Sequence, residues 1–202
     1  MVDTLDYIIK KYNIDLNNPS PFVLNFNRFT DLPELFKELE FKSGAEIGVL
    51  YGTYSETLCQ NLPDTKIYSI DQWVHYPVYK NFRKAEMYEP IYQKAIKRLS
   101  QYSNNIIIRK SSIEALNEFE DNSLDFVFID ADHRFQYVVN DIAGWSKKVR
   151  KGGIISGHDF GRSASRDFVH IRFVVPAWCE AYRIHPWFIL SHPKETSWMW
   201  VN

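Results

Sequence analysis

The stretch Ala45–Ser55, AEIGVLYGTYS, runs from an apolar segment through two glycines into an amphipathic one, and its reading decides the fold. Gly48 and Gly52 lack the Cβ atoms that would keep a ligand away from the backbone at the carboxyl end of a strand, which is where open α/β sheets bind their ligands. Roughly 20 residues further on, the segment Tyr68-Ser-Ile-Asp71 ends a second apolar run on a carboxylate, the position from which doubly wound folds hold a ribose hydroxyl pair.

Outward from that turn, short apolar runs alternate with amphipathic ones, the pattern of βαβ units feeding a parallel sheet. The spacing predicts strands at Ala45–Leu50, Lys66–Ile70, Asn105–Arg109, Leu124–Ile129 and Gly153–Ser156, with helices at Tyr54–Asn61, Pro90–Tyr102, Ser112–Phe119 and Arg134–Val149. In the last helix Phe135, Val138, Val139, Ile142, Trp145 and Val149 share a face, and Lys147, Lys148 and Arg150 gather at its C-terminal end, where the helix dipole favours cations. A helix over Phe168–Glu180 and two strands, Tyr182–Leu190 and Ser197–Val201, close the chain as a hairpin. Before Phe41, Leu5, Ile8, Ile9 and Tyr12 recur at helical spacing, and Asp31 with Glu34 reads as a capping box ahead of Leu35, Phe36 and Leu39. The expectation is one α/β domain. It has a Rossmann-like doubly wound sheet of seven strands, mostly parallel with a C-terminal antiparallel hairpin, and helices on both faces. Residues 1–40 form a helical lid and 41–202 the core.

The bulk numbers fit one soluble domain: 202 residues, 45% apolar and 24% charged. Lys plus Arg (24) balances Asp plus Glu (25), which leaves no field to gather nucleic acid or an anionic membrane. No basic leader and no membrane-length apolar window is present, and Cys59 and Cys179 stand far apart as thiols of a reducing compartment, so a cytoplasmic protein is expected. The aromatic stretch Val74–Glu89, with His75, Tyr76, Tyr79, Phe82 and Tyr88, reads as a functional insertion. The apolar N-terminal helices offer a surface for a homodimer.

The first turn differs from a dinucleotide fingerprint in carrying an acid, Glu46, and no third glycine. A carboxylate there repels a diphosphate and suits a cationic ligand bearing an ammonium and a sulfonium. Further on, FIDADH (128–133) and GGIISGHDF (152–160) deliver acids and histidines from two adjacent strands to the same sheet edge. His75, His170, His185 and His192 have no acid at a telling spacing and read as surface or core residues.

Glu-x-Gly-x-x-x-Gly followed by Ile-Asp-x-Trp resembles motifs I and II of the class I S-adenosylmethionine-dependent methyltransferases. The two later phrases are similar to the small-molecule, macrocin and sugar O-methyltransferase-like family (methyltransferase 24), over about Phe41 to Asp159. The resemblance implies S-adenosylmethionine as cofactor. Glu46, Gly48, Tyr51, Gly52, Tyr54 and Ser55 would lie around its methionine part, Asp71 at the ribose, and Gln72 with Trp73 at the adenine face. Ser111 and Ser112 would approach the adenine edge, and Asp130 completes the cofactor contacts. It further implies His133 as general base, aided by Asp130 and Asp159, and a divalent cation, Mg²⁺ or Mn²⁺, on Asp130, His158 and Asp159. The partner is a small hydroxylated acceptor. The plain alternatives are that Ser111 caps a helix with Glu114, that His133 is satisfied by Asp130, and that His158 and Asp159 bond each other. An NAD-type oxidoreductase and a catalytically silent cofactor-binding protein are the rival functions.

Overall fold

The computed structural model describes residues 3–75, 84–161, 169–193 and 195–202. Tyr76, Tyr79, Phe82 and Phe168 lie outside them. Along the chain come α1 (Thr4–Lys11), β1 (Phe22–Asn25), α2 (Asp31–Glu38), β2 (Ser43–Ile47), α3 (Thr53–Asn61) and β3 (Lys66–Asp71). They are followed by α4 (Tyr88–Leu99), β4 (Asn105–Arg109), α5 (Ser112–Ala115), β5 (Leu124–Ile129) and α6 (Phe135–Lys148). The chain closes with β6 (Val149–Gly157), α7 (Ile171–Ala181), β7 (Trp187–His192) and β8 (Glu195–Val201).

All strands join one sheet in the order β1-β7-β8-β6-β5-β2-β3-β4. Among the described residues the sheet thus has eight strands where the sequence predicted seven. The extra one is β1, which adds a parallel edge to β7 in the register Phe22↔Phe188 to Asn25↔Ser191. It escapes a pattern reading because it is four residues long and buries only Leu24. The segment before Phe41 is therefore part of the sheet layer as well as helical. Only β8 runs against the rest, pairing antiparallel with both β6 and β7.

The period of two along β5 sorts the core into two layers. Val127 and Ile129 face α6 and α7 with Val138, Ile142, Trp145, Val174 and Val175, while Phe126 and Phe128 face α1, α2 and α3 with Ile8, Leu35, Phe36 and Leu58. Helices thus cover both faces, and the apolar stripes of α1 and α2 are used on the chain's own core rather than left for a partner.

Three boundaries move for local reasons. Strand β2 stops at Ile47 because Gly48 turns to φ 95°. Strand β7 begins at Trp187, five residues later than predicted, since α7 continues to Ala181 and Arg183 adopts φ 54°. The capping box at Asp31 and Glu34 is not formed: Asp31 is the first helical residue, Thr30 holds the cap position but its hydroxyl donates to Asp31 Oδ1 (2.7 Å) instead of capping the backbone, and the Asp31 carboxylate accepts the Asn27 N–H at 2.8 Å.

Candidate active site

The glycine turn is built by three strands at once. The Gly48 N–H donates to the Ile70 carbonyl at 2.8 Å, and the Asp130 N–H donates to the Ile47 carbonyl at 2.7 Å. A Cβ on Gly48 would lie 2.2 Å from the Asp130 carbonyl oxygen, so only glycine permits this approach as well as this φ. Gly52, at φ 75°, opens α3. The Asp71 carboxylate, at the end of β3, accepts the N–H groups of Val49 (3.0 Å), Leu50 (2.9 Å) and Trp73 (2.7 Å), which locks the turn against the neighbouring strand. Burial raises the Asp71 pKa and these backbone bonds oppose it, with a net rise.

Glu46 projects from β2 under this turn, 2% exposed, and its partner is the Ser55 hydroxyl on α3. Behind Ser55 the chain of bonds continues through Ser69 Oγ (2.7 Å) to Asn105 Nδ2 (2.7 Å), so the acid heads a buried polar line across β3 and β4. Burial pushes the Glu46 pKa to about 8, helped by the charges of Asp130 and Asp71 and opposed by Ser55 and Arg28. At neutral pH the acid is therefore mostly protonated when nothing positive is near. An approaching cation favours its ionised form, whereas a diphosphate disfavours it further.

Above the turn lies a cavity of about 710 Å³. Of the sequence-predicted residues, Glu46, Gly48, Tyr51, Tyr54, Asp71, Gln72, Ser111, Ser112, Asp130, His133, His158 and Asp159 line it. Gly52, Ser55 and Trp73 stand behind the lining. Trp73 in particular is not at an adenine face: it is 2% exposed, packs on Tyr92, and donates its indole N–H to the Leu50 carbonyl at 2.7 Å. Ser111 forms the capping box with Glu114, so its hydroxyl is engaged in starting α5. The Tyr54 hydroxyl is buried with no hydrogen-bond partner among the described residues.

The far end of the cavity is densely charged. His133 lies between two acids, Nε2 3.2 Å from Asp130 Oδ1 and Nδ1 3.4 Å from Asp159 Oδ2. Burial lowers the His133 pKa, but the Asp130 hydrogen bond and the charges of Asp130, Asp159 and Asp132 outweigh it and the net direction is up. His158 Nδ1 is 3.2 Å from Asp159 Oδ1 and 3.7 Å from Asp130 Oδ2; its Nε2 is 3.3 Å from Glu195 Oε2, without hydrogen-bond alignment. Asp130, His133 and Asp159 each bring one ligand-capable atom within 4.8 Å of the others.

Three residues of this site were not predicted: Arg28, Glu195 and Asp141. Arg28, from the loop after β1, pairs Nη1 with Asp130 Oδ2 (3.3 Å) and Nε with Glu195 Oε2 (3.1 Å), and its guanidinium lies 5.2 Å from the Tyr54 ring centroid. Glu195 comes from the start of β8. Neither carries a local motif, because the topology alone brings both ends of the chain to β5 and β6. Asp141 on α6 is the third and forms part of the cavity wall, whereas His170, outside that wall, accepts the Phe135 N–H at 2.9 Å and satisfies the start of α6. A buried acid on an otherwise apolar helical face was the one available signal, and it pointed to Asp141.

Comparison with known proteins agrees with this geometry. The model of the family described as Methyltransferase domain matches residues 45–160. An uncharacterised protein of Acanthamoeba polyphaga mimivirus is 27% identical over 139 residues, 69% of this chain and 60% of its own length. One of Sinorhizobium fredii is 28% identical over 120 residues, 56% of this chain. The match covers 12% of that relative, so the chain spans less than two thirds of either curated protein. Among solved structures, the O-methyltransferase from Bacillus cereus in complex with SAH superposes with a TM-score of 0.61 at 18% identity, covering 100% of this chain and 92% of that one. The O-methyltransferase TomG from Streptomyces achromogenes, involved in tomaymycin synthesis and solved with SAM, gives 0.60 at 14% identity, covering 100% and 91%. At these identities the likeness concerns the fold.

Proposed function

Because the chain belongs to the Methyltransferase domain family, we propose that it transfers the methyl group of S-adenosylmethionine to a hydroxyl oxygen of a small acceptor, of sugar or natural-product type. The observation that carries this reading is that one cavity contains both an acid-floored glycine turn and, at its other end, an imidazole set between two carboxylates. The turn suits a positively charged nucleoside and the imidazole suits an acceptor that must lose a proton.

The cavity lining fits the cofactor: acids for the positive amino-acid end, Asp71 for the ribose, and Gln72, Ser111 and Ser112 for the base. When bound, S-adenosylmethionine supplies a methyl group on a sulfonium, so that an acceptor lone pair forms the C–O bond as the S–C bond breaks and its electrons return to sulfur. His133 takes the proton that leaves the acceptor hydroxyl, and Asp130 and Asp159 stabilise the resulting imidazolium. Glu46 and Asp71 fix the turn, and the cavity wall excludes water and holds the acceptor oxygen in line with the methyl group. Free, buried Cys59 and Cys179 support a reducing, cytoplasmic setting.

A divalent cation is the second group that the family resemblance implies. Two carboxylates and imidazole nitrogens within reach of one another fit one, with Mn²⁺ suited better than Mg²⁺ to a nitrogen donor. The group whose ligand atoms converge is Asp130, His133 and Asp159, without the His158 that the resemblance implies. An ion held there would take up His133 and leave it unable to serve as base, whereas one held by Asp130, His158 and Asp159 would not; in either place its chemistry would be to lower the acceptor hydroxyl's pKa.

The test is to incubate the protein with S-adenosylmethionine and a panel of hydroxylated sugars, phenols and hydroxy acids, and to follow S-adenosylhomocysteine. Acceptor-dependent release that collapses in His133→Ala is expected. Cofactor binding with no transfer to any acceptor would instead identify a silent binding protein.

A further inference from the structure

Asp141 is a carboxylate placed where a soluble helix has no use for one. It sits in the middle of α6, 3% exposed, among Val138, Ile142 and Trp145, all buried. Burying an acid costs free energy unless its oxygens find donors, and only one of them does. The Ser112 hydroxyl donates to Asp141 Oδ1, while the Trp145 indole N–H donates to the same Ser112 oxygen at 2.8 Å. This Trp145-Ser112-Asp141 relay orients the carboxylate rigidly. Its other oxygen, Oδ2, takes no hydrogen bond among the described residues, and Asp141 lines the cavity wall beside Ser111, Ile113 and Tyr137. Burial holds its pKa at about 7, against the Ser112 bond, the state of an acceptor lacking its second donor.

Ser111, next to it, cannot serve the same purpose, because its hydroxyl is taken up by the Glu114 cap. The nucleoside end of the cavity thus offers one oriented, incompletely satisfied acceptor. Asp71, the other acid at that end, already accepts three backbone N–H groups.

We propose that Asp141 is the specificity residue for the base of the cofactor: Oδ2 accepts the exocyclic amino group of adenine, with Ser112 and Trp145 holding it in place. This rests on the S-adenosylmethionine reading above. Ionised, Asp141 can only accept, so above pH 7 it takes a base with N–H donors and meets a base that presents a carbonyl oxygen with two acceptors facing each other; such a base is accommodated only when the acid takes up a proton, which grows costlier as pH rises above 7.

The experiment is titration calorimetry of the full chain at pH 8.5, where the carboxylate is ionised, with S-adenosylhomocysteine and S-inosylhomocysteine, which differ in carrying an amino group or a carbonyl at that position. The wild-type protein is expected to prefer the adenosine compound by at least about 10-fold. Asp141→Asn keeps an oxygen for the Ser112 hydroxyl and adds an amide N–H that can donate to the carbonyl, so its preference should shrink to near unity or reverse. Equal affinity of the wild type for the two compounds, a result that needs no variant to fold, overturns the proposal, as does an unchanged preference in Asp141→Asn. Failure of the wild type to bind either compound removes the cofactor assignment itself, and is thereby distinct from a failure of Asp141 alone.

Discussion

The two ends of the cavity are made differently. The end proposed for the nucleoside is written in three strand-to-helix turns, around Gly48, Asp71 and Ser111, and its bonds run mainly to backbone N–H groups. The end proposed for the acceptor draws Arg28, Asp130, His133, His158, Asp159 and Glu195 from four segments and holds them by side-chain charge pairs. A backbone-built pocket keeps its shape when one side chain changes, whereas a charge cluster redistributes. Binding of the cofactor and turnover of the acceptor should therefore respond to different substitutions.

The largest expected effect that separates the ends is His133→Ala. Turnover should fall by about 10²- to 10⁴-fold, the usual worth of a general base, while the dissociation constant for S-adenosylhomocysteine stays within about twofold. Parallel loss of both in kinetics and calorimetry would break the distinction.

Gly48→Ala probes the point where the ends meet, since the new Cβ would press on the Asp130 carbonyl at 2.2 Å. Strain at this φ adds on the order of 1–3 kcal/mol, so the melting temperature should drop and cofactor affinity with it. A protein that melts and binds normally would show the turn to be more compliant than the geometry implies.

Arg28→Met removes the cation between Asp130 and Glu195 and leaves their charges uncompensated. Steady-state kinetics should show turnover reduced by roughly 10-fold, about 1.4 kcal/mol, with cofactor affinity nearly unchanged. A variant as active as the wild type would make Arg28 a packing residue of the Tyr54 and Phe128 rings.

The smallest effect is a matter of pH. The folded pKa of Glu46 is raised from 4.5 to about 8, so the folded protein binds this proton more tightly than the unfolded chain does. Its stabilising contribution is complete below about 4.5 and is lost as pH rises toward 8. Asp141, raised from 3.8 to about 7, loses its share earlier, while His133, raised above 6.5, loses its own over the same interval as Glu46, so the Glu46 share is read as the difference between wild type and Glu46→Gln. The ligand-free protein should lose about 2–4 °C in melting temperature between pH 7 and pH 8, and Glu46→Gln should flatten that decline. An identical slope in the variant would mean that Glu46 is ionised in the empty pocket.

The same contrast governs what could be read from the chain. Motifs confined to a dozen residues were legible: the glycine turn, Asp71, the Asp130-to-His133 phrase and the strands beneath them, because period-two and period-3.6 patterns are local. Strand β1 was not, being four residues with one buried side chain. Arg28 and Glu195 were not, because nothing near them in sequence distinguishes them from solvated charges; only the strand order carries them to Asp130. Trp73 was placed at the adenine face by the family resemblance, and the turn at φ 49° sends its ring into the core beside Tyr92.

The account depends most on the preference of the acid-floored turn for a sulfonium nucleoside. Titrating one preparation with S-adenosylmethionine and, side by side, with NAD⁺ measures that preference directly. Saturable one-site binding of S-adenosylmethionine with no heat from NAD⁺ is the predicted result; uptake of NAD⁺ by a protein indifferent to S-adenosylmethionine would contradict it.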